Sequence, residues 1–421
     1  MLIRALYTII LTLVSPVLLF GLYKSKANKP KFGKRWKEHF GAIPKLESGQ
    51  KPIWIHAVSV GESIAAVPLI KALKAQSPSQ SILVTTTTST GAEQIAKLGD
   101  LVEHRYMPID FGFAVRAFLK TAQPCKMLII ETELWPNTLY EVNKFGIPVT
   151  IVNARLSQKS RDNYAKFKPM FSIIEPCLTQ ILCQHKTDAE HFQSLGVPHD
   201  KLKITGSIKF DIEISPQSKL LGTKLRQLLG CERPIWIAAS THKGEDVLVL
   251  NAHKHILEHI PNALLILVPR HPERFNDVFA LCVSEGFKTT RRTSKVQIEE
   301  SVQIFLGDTI GEMLTFLGAS DVCFMGGSLI GNEVGGHNVL EPAALGVPTI
   351  TGPSYYNFSF IVESLIDIGA IQLSSPHSLG SDISRLLLEH EERYKQSRKL
   401  LKFMTENSGS LDKTITLVNE Y

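Results

Sequence analysis

The sequence predicts an α/β protein of two similar halves, each with a parallel sheet, preceded by an N-terminal helix. Three observations predict this. Short apolar runs alternate with helix-like stretches along most of the chain, the pattern of a parallel sheet with helices on both faces. The alternation comes in two series, and a chain of 421 residues exceeds what one hydrophobic core usually supports. Before the first series lies an apolar run followed by a cluster of lysines.

The first series covers residues 53 to about 202 and holds the runs WIHAVSV, ILVTTTT, HRYMPI, KMLIIE, PVTIVNA and TQILCQ. After a polar stretch at residues 211–218 the second series holds PIWIAAST, ALLILVPRH, VQIFLGD, DVCFMGG and VPTITGP. The halves meet near residues 205–220. Twin halves of this kind predict a cleft faced by the strand-end loops of both.

The N-terminal run ALYTIILTLVSPVLLFGLY, residues 5–23, carries no charge and is about long enough to cross a hydrocarbon core. It is followed by Lys24, Lys26, Lys29, Lys31, Lys34, Arg35 and Lys37. Charge after the run, with no small-residue cleavage site, is opposite to a cleavable signal peptide. By the positive-inside rule the body stays cytoplasmic. The alternatives are a buried core helix or an interfacial helix kinked at Pro16. Residues 1–60 hold ten Lys/Arg and two acids, a local charge of +8 against +6 for the whole chain. The folded body is therefore near neutral, which argues against a general nucleic-acid surface and fits a segment against anionic lipid heads. The six cysteines are scattered without a CxxC pair, as expected of reduced thiols in the cytoplasm.

The chemistry concentrates at strand ends. WIHAVSV breaks at Gly61 into a helical stretch, and Glu62 stands at that joint, either as a helix-capping acid or as a group aimed at a ligand. ETELWPN, residues 131–137, brings two acids and a tryptophan to the end of MLII. GSIKFD puts Lys209 near the junction of the halves, where it can compensate an anionic ligand. LVPRHPERF ends a strand with Arg270 and His271 before a helix expected near Pro272, an arrangement that suits phosphate. FMGGSLIGNEVGGHNVLEPAALGVPTITGP joins a strand to a glycine-rich loop and then to a helix expected from Asn338, with Glu341 in its first turn. Glycines admit close backbone approach, the helix start offers free N–H groups, and the acid can accept from ribose hydroxyls. No GxxxxGK[ST], GxGxxG, HExxH or Asp-x-Asp occurs. The histidines of HKHILEH, namely His253, His255 and His259, read as a solvated helix face and not as a metal site.

Taken together, SVGE, ETELWPN, NARLS, GSIKFD, STHKGE, LVPRHPERF, GDTIGE and GGHNVLEPA, in this order after an N-terminal anchor, resemble the 3-deoxy-D-manno-octulosonic acid (Kdo) transferases of lipopolysaccharide assembly. The resemblance implies the GT-B fold, two Rossmann-like domains facing a central cleft. It implies an inverting transfer of Kdo from CMP-Kdo to the lipid A precursor, lipid IVA, with no cofactor and no metal. It makes Glu62 the catalytic base and assigns Glu131 and Lys209 to transition-state stabilisation. It assigns CMP contacts to Pro269, Arg270, Gly311, Glu312, Met313, Asn338, Val339, Leu340 and Glu341.

The expected division is an anchor with its basic flank at 1–30, an acceptor-binding domain at 31–210 and a donor-binding domain at 211–421. The expected partners are CMP-Kdo, lipid IVA and inner-membrane lipids, with the catalytic domains on the cytoplasmic face. The rivals are another GT-B enzyme acting on a nucleotide sugar, such as a lipid glycosyltransferase or a UDP-sugar epimerase, and a tethered nucleotide-binding module without catalysis. SVGE with ETELWPN disfavours the first, and the joint presence of Glu62, Glu131 and Lys209 disfavours the second.

Overall fold

The computed structural model of the protein describes residues 2–24, 31–294 and 298–420; Lys26 and Lys29 of the basic flank lie outside these. Two compact units are present, one formed by residues up to Asp211 together with those from Asn407, the other by Ile212–Glu406.

The first unit carries strands β1 (Ile53–His56), β2 (Ile82–Thr86), β3 (Glu103–Tyr106), β4 (Lys126–Ile130), β5 (Val149–Ala154), β6 (Gln180–Cys183) and β7 (Leu202–Ile204). They form one parallel sheet in the order β3-β2-β1-β4-β5-β6-β7. Because side chains alternate across a strand, its apolar runs feed two cores. Trp54, Leu83, Met127, Ile129, Ile151 and Ile181 face one, while Ile55, Val84, Leu128, Ile130, Val152 and Leu182 face the other. Trp54 shows why the strands stay buried on both faces: its ring packs on Phe118 at 4.8 Å, and its Nε1–H donates to Thr85 Oγ1 at 2.8 Å. The order reverses between β1 and β4, so the loops after these two strands diverge and leave an opening at their C-terminal ends.

The second unit repeats the plan with β8 (Ile235–Thr241), β9 (Leu264–Pro269), β10 (Thr289–Arg291), β11 (Ile304–Leu306), β12 (Val322–Met325), β13 (Thr349–Thr351) and β14 (Ile371–Leu373). Its parallel sheet runs β10-β11-β9-β8-β12-β13-β14 and reverses between β8 and β12. Every strand expected from an apolar run is present. Absent from that expectation are β7, β10 and β14, which are three-residue strands at sheet edges, too short and too exposed to carry a buried run.

One boundary differs from the expected 211–421 domain. The helix Ser410–Val418 belongs to the first unit, where Ile415 and Val418 join the core beside β1 and β2. Asp211 holds its start, accepting from Gly409 N and Leu411 N at 2.6 Å each. Its end is tied by Lys126 Nζ to Val418 O at 2.7 Å and Gln180 Nε2 to Leu417 O at 2.9 Å. The ties are polar contacts between residues about two to three hundred positions apart, which no local pattern announces.

Candidate active site

Strand β1 ends at His56, four residues earlier than the run WIHAVSV suggests, and Ser59 caps the helix Val60–Gln76. Ser59 Oγ accepts from Glu62 N at 3.3 Å and donates to Glu62 Oε1 at 2.9 Å, while Val58 N donates to Glu62 Oε2 at 2.7 Å. This is a reciprocal cap of the helix start. The same bonds fix the carboxylate in one orientation and leave each oxygen a further lone pair. Glu62 is only 7% exposed. Burial pushes its carboxyl up to about 7, reinforced by the charges of Glu131 and Glu133, although the bonds from Val58 and Ser59 pull the other way. Glu62 is thus both a cap and a carboxyl group that titrates near neutrality.

Glu131 follows β4, the strand across the reversal point from β1. Its N–H extends the sheet to Val152 O at 2.9 Å, and its φ of 62° lies in the left-handed region. A non-glycine residue there costs about 1–2 kcal/mol and persists only when its surroundings hold it. Lys209, after β7, donates to Glu131 Oε1 at 2.8 Å. The bond is prepared by Asn153 at the end of β5, itself left-handed with φ 57°, whose Oδ1 accepts from Ile208 N at 3.2 Å. Glu62, Glu131, Glu133, Arg155, Ser157 and Tyr164 line a cavity of ≈ 360 Å³. Tyr164, whose hydroxyl is held above its ordinary range by burial and by Glu133, sits on the helix Gln158–Lys166 and carries no sequence signal that would have singled it out.

The second unit has its own strand-end assembly. Glu245, fully buried, accepts from Gly327 N (2.7 Å), Ser328 N (2.9 Å), Leu329 N (3.0 Å) and His242 N (3.2 Å). The STHKGE loop after β8 is thereby stitched to the glycine-rich loop after β12, across the reversal point. Gly327 has φ 70°, and a Cβ there would meet the His337 ring at 2.8 Å, so only glycine fits. His337 Nε2 faces His242 Nε2 at 2.8 Å. Burial first, then neighbouring His271, Arg270 and Arg274 charges, hold His242 down to about 4, and burial with His242, Arg270 and His271 holds His337 down to about 3. At neutral pH the pair is two neutral rings sharing one proton bridge.

Among the residues assigned to CMP, Pro269 closes β9, and exposed Arg270 donates its backbone N–H to Thr241 O at 3.0 Å. Burial raises the Glu341 carboxyl, opposed by the Arg270 charge, so these two sit within electrostatic reach. The helix starts at Leu340, two residues after the expected Asn338, because Asn338 Oδ1 accepts from Leu340 N at 3.1 Å and Val339 takes the cap position. Val339 and Leu340 are each 1% exposed, their side chains in the core. Glu312 stands at the cap of Met313–Gly318, just after Gly311, and is engaged within its own unit. Arg292 donates to it at 2.8 and 3.1 Å and Thr309 Oγ1 at 2.6 Å, which holds its carboxyl below the usual range.

The histidines of HKHILEH part company. His253 is fully buried, accepting from Trp236 Nε1 at 3.2 Å and meeting Gln303 O at 2.9 Å through Nε2, so the expectation of a solvated face fails at this residue. His255 and His259 are exposed, and with Glu258 their ligand atoms lie within 4.8 Å of one another.

In comparison with known proteins, residues 34–212 match the family described as 3-deoxy-D-manno-octulosonic-acid transferase (kdotransferase). The 3-deoxy-D-manno-octulosonic acid transferase of Haemophilus influenzae is 38% identical over 422 residues, covering 99% of this chain and 98% of that protein. The crystal structure of the C-terminal CMP-Kdo binding domain of WaaA from Acinetobacter baumannii is 35% identical, covering 45% of this chain and 98% of that one, with a TM-score of 0.43. The calicheamicin glycosyltransferase CalG4 is 11% identical with a TM-score of 0.52, over 88% of this chain and 98% of that one. This last likeness concerns the fold alone, which is of the GT-B type.

Proposed function

The chain belongs to the 3-deoxy-D-manno-octulosonic-acid (Kdo) transferase family, glycosyltransferases of lipopolysaccharide synthesis, and from that premise we propose its substrates and the residues that act on them. The protein moves Kdo from CMP-Kdo to a primary hydroxyl of the lipid A precursor, lipid IVA, inverting the anomeric centre and using no metal. One or more Kdo residues are added.

The observation that carries this is the state of Glu62: a buried carboxyl, oriented by Val58 N–H and Ser59 O–H, raised to about 7 and open to a cavity with Glu131. A hydroxyl is a poor nucleophile until something takes its proton. A base works best with a pKa near the operating pH, and such a base contributes typically ~10²–10⁴-fold. The acceptor oxygen bonds to the anomeric carbon as the bond from that carbon to the CMP phosphate oxygen breaks. The hydroxyl proton passes to Glu62, and the electron pair leaves with CMP. Lys209, ordered by Glu131, and Arg270 with the backbone at Asn338 meet the developing charge. Pro269, Gly311, Glu312, Met313, Val339, Leu340 and Glu341 contact CMP, Val339 and Leu340 through their backbone.

The residues of 31–211, with those from Asn407, thus serve the acceptor, and Ile212–Glu406 serve the donor. The apolar helix Leu2–Tyr23 holds the enzyme on the inner membrane with its catalytic units on the cytoplasmic face. A lipid acceptor stays in the bilayer, so tethering raises its effective concentration.

The test is mass spectrometry of lipid IVA incubated with CMP-Kdo and purified protein, beside Glu62→Gln. Kdo added by the parent and almost none by the variant is expected, and the mass increment counts the units. Full activity of the variant would move the base to another group; a folded parent without transfer would overturn the substrate assignment.

A further inference from the structure

The helix Leu2–Tyr23 has 22 residues, a length of about 33 Å, which matches a bilayer hydrocarbon core. A crossing helix carries one of its ends to the far side of that core, away from a body on the near side. Here both ends are bonded to the first unit. Near the start, Tyr7 Oη donates to Asp110 Oδ2 at 2.9 Å, Asn137 Nδ2 donates to Thr8 Oγ1 at 3.0 Å, and Arg4 lies 3.5 Å from both Glu141 Oε1 and the centre of the Tyr140 ring. At the other end, Tyr23 Oη meets His39 Nδ1 at 2.7 Å, and its ring meets Phe32 edge-on at 5.6 Å. The two receiving sites are themselves joined, since Ile109 N, next to Asp110, donates to His39 O at 2.8 Å.

Between these ends the partly covered positions recur as Leu11, Ser15, Leu19 and Leu22, one stripe at helical spacing facing the unit. The opposite side is apolar and exposed, including Leu6, Ile9, Leu13, Val17 and Phe20. The segments holding the helix add exposed aromatics: Trp36, whose carbonyl accepts from Tyr23, Phe113 three residues past Asp110, and Phe167 at the start of Lys168–Ile174. Exposed Lys24, Lys31, Lys34 and Lys37 follow directly.

From this geometry we propose that the helix does not cross the membrane: it lies in the interface plane of an anionic bilayer, with its exposed apolar side in one leaflet and its partly covered stripe on the enzyme. Lysines at one rim attract anionic head groups, and aromatic rings suit the boundary between head groups and chains. Such a helix fixes the orientation of the unit that carries Glu62 relative to the lipid surface, where a flexible tether would leave it free. The proposal rests on the membrane-anchor reading above and is independent of the sugar chemistry.

The test uses the full chain, with the exposed Cys125 and Cys231 changed to serine, bound to phosphatidylethanolamine vesicles containing phosphatidylglycerol. Spin labels are placed on single cysteines at each of positions 9–14, and their immersion depth is measured by collision with oxygen and a water-soluble nickel complex. Depth oscillating with a period of about 3.6 residues, never beyond one leaflet, is expected. Depth changing steadily along the helix means a crossing span and overturns the proposal. Labels that stay dry while the protein pairs through this face in solution overturn it as well. Failure to bind vesicles at all strikes the membrane-anchor reading itself.

Discussion

Lys209 Nζ stands 2.8 Å from Glu131 Oε1, joining two residues that are 78 positions apart in the chain. Each partner is roughly one-third exposed, so as a structural element the pair is worth little; exposed ion pairs contribute about 0–1 kcal/mol. Yet the fold places it at the end of strands adjoining a strained turn. A weak bond held by a costly backbone is spent on geometry, and the geometry borders the Glu62 cavity.

Lys209→Met is therefore expected to change unfolding stability by less than about 1 kcal/mol while reducing Kdo transfer at least tenfold. Glu131→Asn keeps a residue that tolerates the left-handed backbone, so its unfolding midpoint should hold or rise while transfer falls. Denaturant titration beside an activity assay separates the two roles. A Lys209→Met variant that is unstable and kinetically normal would make the pair structural.

Glu62 supplies a pH signature. With its carboxyl raised from 4.5 to about 7, transfer should rise with pH through an apparent pKa near 7 as the base ionises. Stability runs the other way. A raised carboxyl contributes stability that is fully present below its unfolded pKa and is lost as pH climbs through the folded value, at most about 3 kcal/mol in all. Glu62→Gln should flatten that loss between pH 5 and 8. Parallel pH profiles of transfer rate and of denaturant midpoint check both halves, and a Gln variant with an unchanged stability profile would assign the titration to another group.

Glu245 accepts four backbone N–H groups while fully buried. Glu245→Gln turns an acceptor-only group into one that brings its own N–H donors against those four. Each buried group left without a partner costs about 1–3 kcal/mol, so a loss of about 2–5 kcal/mol is expected. Hydrogen exchange at Gly327, Ser328 and Leu329 should accelerate in the variant, and unchanged protection there would mean the loop stands without this anchor.

Much of the fold was legible because buried parallel strands are continuous apolar runs, and such runs mark themselves. The edge strands β7, β10 and β14 are not buried on both sides and left no such trace. The same logic explains His253: its neighbours His255 and His259 are exposed, and Trp236, Gln303 and Phe287, distant in sequence, take it into the core. The helix after the glycine-rich loop begins two residues later than the sequence suggests, since Asn338 looks like a first helical position and instead accepts from Leu340 N through its Oδ1.

By itself the sequence determined the two α/β halves, the apolar N-terminal helix with its basic flank, and which strand-end loops carry acids, cations and glycines, because burial and turn chemistry are local and periodic. Tertiary structure decided what those residues do to one another. It raised Glu62 by enclosing it, bent Glu131 into a left-handed turn that reaches Lys209, and stitched the glycine-rich loop to Glu245. It also sent the last helix back to the first unit and bonded both ends of the apolar helix to it. Desolvation, strain and polar contacts between distant positions arise only once strands are ordered in a sheet, and sheet order is a property of the packed chain.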